Sequence, residues 1–255
     1  MTALTLCGLC GVVFVSSCGG AQPSQPGLSE VTTPTSIRDG EQAIEAGDYS
    51  TAAGIFANLL NQTPNDPTLH YYFGLSKDNL GDLEMAVAEY QKALEIDPAL
   101  TNARLNLGLV YYQQGKLSEA IAEFKTVATA EPDAADVHYN LAMALAASGD
   151  IDGARAHYEK CASLDTEDPD PIIALAKLEK DAGNPDAAIE LYRNALALNP
   201  SLPEVALLLG NALARKGEFA EAAKQFESVV QLSPGSPEAD AAQKGLNACR
   251  KKMNE

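Results

Sequence analysis

The sequence is short of tryptophan and of positive charge. It contains no Trp, and its 35 acidic residues outnumber its 18 basic ones, which gives a net charge of −17. Such a chain repels the phosphates of nucleic acids and of anionic lipid headgroups, so neither is expected as a partner. The hydrophobic share is 46%, much of it Ala and Leu. This composition excludes a disordered chain and favours packed helices.

Cysteine is also scarce. Of five cysteines, three lie in the first eighteen residues, and Cys161 and Cys249 are far apart, so no disulfide framework is expected. Cys7 and Cys10 have the CxxC spacing of redox and metal sites. They lie in an apolar run without a second pair, and we interpret them as an incidental match inside a targeting segment.

Residues 1–17 contain no charged residue and are too short for a comfortable membrane span, which needs about 20 residues. The sequence VSSC at 15–18 resembles the lipobox of bacterial lipoproteins, whose cysteine becomes lipidated. The resemblance predicts a signal peptide over 1–17 and lipidation of Cys18. The segment departs from a signal peptide in having no Lys or Arg near Met1, and the alternative is an ordinary secretory signal or a short anchor. No Asp follows Cys18, which by the same resemblance favours the outer membrane, facing the periplasm.

Residues 18–35 are rich in Gly, Pro, Ser, Gln and Thr. Such a composition cannot bury enough apolar area to fold. We predict a lipidated, flexible tether with a root-mean-square reach of roughly 20–25 Å.

From residue 33 to residue 236 the chain repeats every 34 residues, six times, without an insertion. Four columns define this repeat. The first column contains only glycine, the second only alanine, the third only Phe or Tyr, and the fourth only Gly or Ala. In that order the columns are Gly47, Gly81, Gly115, Gly149, Gly183 and Gly217; Ala52, Ala86, Ala120, Ala154, Ala188 and Ala222; Phe56, Tyr90, Phe124, Tyr158, Tyr192 and Phe226; and Gly40, Gly74, Gly108, Ala142, Ala176 and Gly210.

Each column has a physical reason. The glycine ends a helix where a positive φ is wanted, and a following Asp or Asn, including Asn184, is expected to cap the next helix. Small residues let two helix backbones approach, and the aromatic residue fills the space beside them. Prolines then close the units because they prevent the second helix from continuing. Thr166 breaks this last column, which otherwise consists of Pro64, Pro98, Pro132, Pro200 and Pro234.

Units such as HYYFGLSKDNLGDLEMAVAEYQKALEIDP (70–98) resemble the tetratricopeptide repeat (TPR), and the resemblance covers residues 33–236. It implies an all-α, right-handed superhelical solenoid of six helix pairs, in which the first helix of each pair lines a concave groove. After the array at 36–236, an apolar stripe that ends in Cys249 and Met253 predicts a capping helix over 237–253. The six units lie at about 33–66, 67–100, 101–134, 135–168, 169–202 and 203–236.

By the same resemblance, residues of the first helices line the groove. In the second to fourth units they are mainly large and apolar, and in the fifth and sixth they form a more basic end. One interpretation is a trough that binds an amphipathic helix or an extended segment. The alternative is that Leu75, Leu109 and Met143 only pack against adjacent helices. The candidate groove residues are Tyr71, Leu75, Leu105, Leu109, Tyr112, Tyr139, Met143, Lys177, Asn211 and Arg215.

The sequence has no phosphate-binding loop, nucleophile elbow or HExxH pair, and we predict no enzyme, no cofactor and no metal site. His70 and His138 share one column and are expected to pack against the neighbouring helix. Cys161 is expected to be a buried, inert thiol. An enzyme or a small-ligand carrier is the alternative from another class, and it would require these three residues to share a pocket.

Together these features predict a membrane-anchored TPR scaffold or adaptor that binds an envelope protein and supports assembly of an envelope complex. A narrower alternative follows from a further resemblance, to the pilotin lipoproteins of type IV pilus systems. These combine a lipidated N-terminus with about six TPR units and assist secretin assembly. A gliding or secretion apparatus, or control of cell-wall synthesis, would use the same architecture.

Overall fold

The computed structural model describes residues 36–255, which form thirteen α-helices and no β-strand. Consecutive helices pack as six pairs, and the thirteenth closes the array. The predicted all-α solenoid of six helix pairs with a capping helix is therefore confirmed. None of these thirteen helices combines the length and the apolarity that a transmembrane segment requires. The helices are α1 (Ile37–Glu45), α2 (Tyr49–Gln62), α3 (Pro67–Asn79), α4 (Leu83–Ile96), α5 (Thr101–Gln113), α6 (Leu117–Ala130), α7 (Ala135–Ser148), α8 (Ile151–Leu164), α9 (Asp170–Asp181), α10 (Pro185–Leu198), α11 (Pro203–Lys216), α12 (Phe219–Leu232) and α13 (Pro237–Met253).

A short turn joins the two helices of each pair. Each of the six turns contains the predicted glycine, with φ between 74° and 91°. Other residues adopt this conformation only with strain. After the glycine, Asp48, Asp82 and Asp150 each accept a hydrogen bond from a backbone N–H three residues later, and so cap the second helix as predicted.

Asn184 is the N-cap residue of α10 and Pro185 follows it as the first helical residue, as predicted. The capping bond itself is absent, because the Asn184 side chain does not bond to the helix end. Its Nδ2 instead donates to Glu179 Oε2 at 2.7 Å. Arg155 Nε donates to the other oxygen, Oε1, at 2.5 Å. Glu179 is only 5% exposed, so its carboxylate requires these partners, and Arg155 lowers its pKa although burial acts in the opposite direction. The resulting bridge joins α8 to α9, at the boundary where Thr166 replaces the closing proline.

Close approach of the paired helices explains the column of small residues. A Cβ atom on Gly108 would lie 2.6 Å from Phe124 Cε1, and one on Gly210 would lie 2.7 Å from Phe226 Cε1. Both distances are far below van der Waals contact. The aromatic ring of the second helix thus lies directly on the backbone of the first.

In the first four units, the first helices lie closer to one another than the second helices do. Helix α1 contacts α3, α3 contacts α5, and α5 contacts α7. No comparable contact joins α2 to α4 or α4 to α6 within the described residues. Crowding of these first helices is expected on the inner side of a TPR superhelix, where the groove is predicted.

The core divides into two main clusters. The first extends from α4 to α9 and the second from α9 to α13, with a smaller cluster around Phe56. The clusters meet in α9, where Leu175 and Leu178 belong to the first and Ala176 to the second. We call α1–α8 the first half of the array and α9–α13 the second half.

Helix α13 covers the end of the last pair. The Ala239 N–H donates to Ser236 Oγ at 3.1 Å, which caps the helix. The helix packs against α11 and α12, and Cys249 is buried there, as predicted, with a pKa that burial raises. Met253 departs from the predicted stripe. It is the last helical residue and is 47% exposed, because the end of α13 extends beyond the helices that it packs against.

Polar residues tie the second, third and fourth units to the preceding proline. In these units the fourth residue donates to the proline carbonyl and also bonds to the second helix of its own unit; we call it a latch. The fifth and sixth units have Ile172 and Ala206 there, and therefore no latch. The latch bonds are His70 Nε2 to Pro64 O (2.9 Å) and Nδ1 to Glu89 Oε2 (2.6 Å); Arg104 Nη2 to Pro98 O (3.2 Å) and Nη1 to Glu123 Oε2 (2.7 Å); and His138 Nε2 to Pro132 O (3.0 Å) and Nδ1 to His157 Nδ1 (3.0 Å).

Candidate partner-binding groove

Seven large side chains at the predicted groove positions of α3, α5 and α7 have a similar exposure. All seven are partly exposed, although their neighbours two residues away are buried: Leu107 is 2% exposed and Leu141 is 1% exposed. The helical period therefore gives each of these helices one face in the core and another in the groove. The seven residues are Tyr71, Leu75, Leu105, Leu109, Tyr112, Tyr139 and Met143.

These groove side chains rest on the core beneath them. Six of the seven pack against the first core cluster. The ring of Tyr71 lies 6.2 Å from that of Tyr90, and the ring of Tyr139 lies 5.5 Å from that of Tyr158, edge to face. Such contacts fix the orientation of the rings and leave their outer surfaces accessible.

The basic end of the groove is largely neutralised by its own ion pairs. Lys177 Nζ lies 3.2 Å from Glu204 Oε1, and Lys180 Nζ lies 3.1 Å from the neighbouring aspartate. Arg215 has no ion-pair partner among residues 36–255. Together with Lys180 and Asn211 it lines a cavity of about 460 Å³. The structure therefore leaves one unpaired guanidinium at this end.

A polar cluster that was not predicted from the sequence lies in the groove wall between α3 and α5. It consists of Tyr71, Asp78, Tyr90 and Asn106, and we call it the Asp78 cluster. Tyr90 is 0% exposed, and its hydroxyl is buried with the ring. Burial and the nearby Asp78 carboxylate raise the pKa of Tyr90, while a side-chain hydrogen bond with Asn106 acts in the opposite direction. Two features of the sequence could have indicated this cluster. Tyr90 stands in an aromatic column where other units have Phe, and Asp78 shares a column with the groove residue Tyr112.

His70, His138 and Cys161 do not form a common site. Each histidine is engaged in its own latch, and no contact joins either of them to Cys161 in the part of the chain that the structure describes. Cys161 is 3% exposed, and burial raises its pKa to about 11. Nor does this part of the chain bring three His, Cys, Asp or Glu side chains together to hold a metal ion. The pocket that the alternative class requires is therefore not built from these residues.

The candidate lipidation site, Cys18, lies outside the described residues, as do the predicted signal peptide and tether. The lipid anchor and the outer-membrane location stay predictions.

An α-solenoid with an accessible apolar inner face defines a class of protein, the repeat scaffolds that bind other proteins. A family model described as tetratricopeptide repeat matches residues 105–169 and 173–237, and a model described as TPR repeat matches 79–115. The chain belongs to the tetratricopeptide repeat family.

Solved structures of several TPR proteins are similar to this chain. MamA is 26% identical, with 65% of this chain and 91% of MamA covered at a TM-score of 0.61. YrrB is 21% identical, with 75% and 99% covered and a TM-score of 0.61. PilF of Pseudomonas aeruginosa is 21% identical, with 82% and 95% covered and a TM-score of 0.66. No curated protein matches the chain in sequence. The likeness to YrrB and PilF concerns the fold alone.

Proposed function

We propose that this chain is a membrane-anchored scaffold or adaptor whose groove binds a peptide or helix of a cell-envelope protein and supports assembly of an envelope complex. The observation that carries the proposal is the set of seven partly exposed, large side chains on the neighbouring helices α3, α5 and α7. Apolar side chains that keep part of their surface exposed on adjacent helices support an interaction surface. YrrB, a TPR protein described as having an unusual peptide-binding site, supports the same use of the fold.

The groove suits a segment with regularly spaced apolar anchors. Its own anchors are aromatic and aliphatic side chains held on packed helices, so they lose little freedom when a partner binds. An amphipathic helix or an extended segment presents apolar residues at a matching regular spacing. A few central anchors of this type carry most of the binding energy at protein interfaces.

Replacing Leu75, Leu109 and Met143 together by Asn tests the proposal. All three are partly exposed, so the melting temperature should change little, while capture of the partner should be lost. The partner is identified by crosslinking the lipidated wild-type protein in its own envelope, and its capture is then compared among variants beside thermal melts. Two control variants accompany the triple one. Leu107→Asn places an amide in the core and should lower the melting temperature strongly. Met85→Asn, at an exposed position on α4, should change neither quantity.

Two results would reject the groove. One is full retention of the partner by the triple variant. The other is a melting temperature as low as that of Leu107→Asn, because the three side chains would then be structural.

The narrower form of the proposal is a pilotin-like assembly factor for an outer-membrane secretin. It is supported by the lipobox at 15–18 together with an array of six units. Cells that produce only the Cys18→Ala variant should then lack assembled secretin in the outer membrane, since the factor would no longer be anchored there. Normal secretin assembly in cells without the chain would reject this form and leave the broader proposal intact.

A further inference from the structure

We infer that a cavity between the fourth and fifth units holds an aromatic side chain with a polar edge, tryptophan or tyrosine, of the segment that the groove binds. The cavity has a volume of about 370 Å³ and lies among α7, α8 and α9. Such a volume is near the small end of the range for ligand pockets, which suits a single side chain. The inference rests on the proposed function, because the segment reaches the cavity through the groove, and it adds the kind of residue that the segment carries.

Two alanines leave the space for this cavity. Ala146, at the twelfth place of the fourth unit, and Ala174, at the sixth place of the fifth unit, line it together. At each of the other four junctions between units both places have larger side chains, for example Tyr112 and Asn140 at the preceding junction. Neither place belongs to the columns in which the repeat requires a small residue. The sequence of this junction, and not the TPR repeat, therefore opens the cavity.

Aromatic rings form one wall of the cavity. Tyr139 and Tyr158 both line it, and their ring centroids are 5.5 Å apart in an edge-to-face arrangement. Ile151 of α8 and Leu178 of α9 add apolar surface. Aromatic pairs of this geometry contribute free energy beyond the area that they bury, so a further ring is favoured over an aliphatic side chain.

The hydroxyl of Tyr158 gives this wall a polar group. Tyr158 is 6% exposed, and its side chain makes no hydrogen bond with another residue of 36–255. Unlike the enclosed hydroxyl of Tyr192, the hydroxyl of Tyr158 keeps some accessible surface. Phe stands in the same column of the first, third and sixth units, so packing does not require the hydroxyl. A nearly buried hydroxyl requires a partner, and an indole N–H or a phenol O–H can donate to it.

The charged residues that line the cavity are already paired. Lys177 and Asp181 lie one turn apart on α9. Lys177 is paired with Glu204, and Asp181 with Lys180. These lining residues therefore offer no unpaired charge to a cationic or anionic side chain, which favours an uncharged aromatic one.

The test titrates the full-length chain, purified in the form that the cell processes, with N-acetyl-tryptophan amide and, separately, with the phenylalanine and leucine analogues. Selectively labelled isoleucine methyl groups report by NMR. The methyl resonance of Ile151 should shift saturably, whereas that of Ile121, a partly buried residue that does not line the cavity, should not. The tryptophan compound should bind roughly three- to tenfold more tightly than the leucine compound. Equal affinity for these two compounds would overturn the inference.

Two variants fill the cavity from opposite helices. Ala146→Leu and Ala174→Leu should each abolish saturable binding of the tryptophan compound. Neither should lower the melting temperature, because both places are partly exposed and adjoin the cavity. The matched control, Ala214→Leu, makes the same change at the twelfth place of the sixth unit and should bind as the wild type does. Retained binding in both cavity variants would overturn the inference.

A third variant tests the polar contact. Tyr158→Phe should keep the melting temperature and lose the preference for the tryptophan compound over the phenylalanine compound. An unchanged preference, or a much lower melting temperature, would show that the hydroxyl does not serve a ligand. The probes need no partner, so their failure leaves the groove proposal standing. Failure of the Leu75, Leu109 and Met143 triple variant likewise leaves this titration valid.

Discussion

The two halves of the array build the same helix pairs with different side chains. In the first half, latches occupy the fourth place of three successive units and reach the proline before them. In the second half, Ile172 and Ala206 stand there, and the ion pairs between helices lie at other places, as between Arg193 and Glu221. The candidate groove residues also differ between the halves. They are mainly apolar in the first half, whereas in the second half Lys177 and the nearby Lys180 form ion pairs.

The comparison shows that a TPR helix pair forms with or without a polar latch. Apolar contact across the paired helices is common to both halves. A latch adds hydrogen bonds between units and also introduces ionisable groups into nearly buried positions. In the first half, the latches therefore add polar contacts between successive units. The stability of this half should also be sensitive to any change that removes one partner of a latch bond.

The largest expected effect comes from a charge in either core. Ala120→Glu in the first cluster and Ala222→Glu in the second each place a carboxylate at a position that is 0% exposed. Each should cost about 3 kcal/mol or more. Because units contact only their neighbours, hydrogen exchange followed by mass spectrometry should show the greater loss of protection in the mutated half. Ala122→Glu, at an exposed position on α6, is the control. Equal loss of protection in both halves would show that they are one cooperative unit.

A smaller effect is expected when a latch is converted to the apolar pattern of the fifth unit. Arg104→Ile removes the partner of Glu123, whose side chain is 21% exposed, and should cost about 1–3 kcal/mol in urea unfolding. Adding Glu123→Leu reproduces the Ile172 and Leu191 pair of the fifth unit. This double variant should recover most of the loss, since replacing both members of a pair leaves no unpaired charge. A double variant as unstable as the single one would mean that the two halves require different chemistry.

The smallest effect concerns pH. Burial is the main cause of the lowered pKa of His157, and the neighbouring His138 and Lys125 add to it, while Asp150 opposes them. The unfolded chain therefore takes up this proton more readily than the folded one. The contribution of His157 to the free energy of unfolding is therefore complete above about pH 6.5, the pKa of an unperturbed histidine. It declines as the pH falls from there towards the lower pKa of His157 in the folded protein. Urea midpoints should show this decline in the wild type and less of it in His157→Gln, which keeps a donor for His138. The same decline in both proteins would contradict it.

Periodic features were predictable from the sequence, and features that depend on competition between side chains were not. The glycine turns and the small-residue column follow from backbone geometry, which every unit repeats. Asn184 has the right type and place for a cap, yet Glu179 attracts its amide because a buried carboxylate needs donors more than a helix end does. The pairing of Lys177 with Glu204 and the Asp78 cluster likewise depend on residues of the next unit.

Each half also contains one buried cysteine, Cys161 in α8 and Cys249 in α13. Burial raises the pKa of both thiols, so an alkylating reagent meets neither as a thiolate while the helices stay packed. The rate at which each cysteine gains mass then measures how often its own surroundings open. The two cysteines thus report local opening at two separate places. We expect Cys249, in α13 at the end of the array, to be alkylated faster than Cys161.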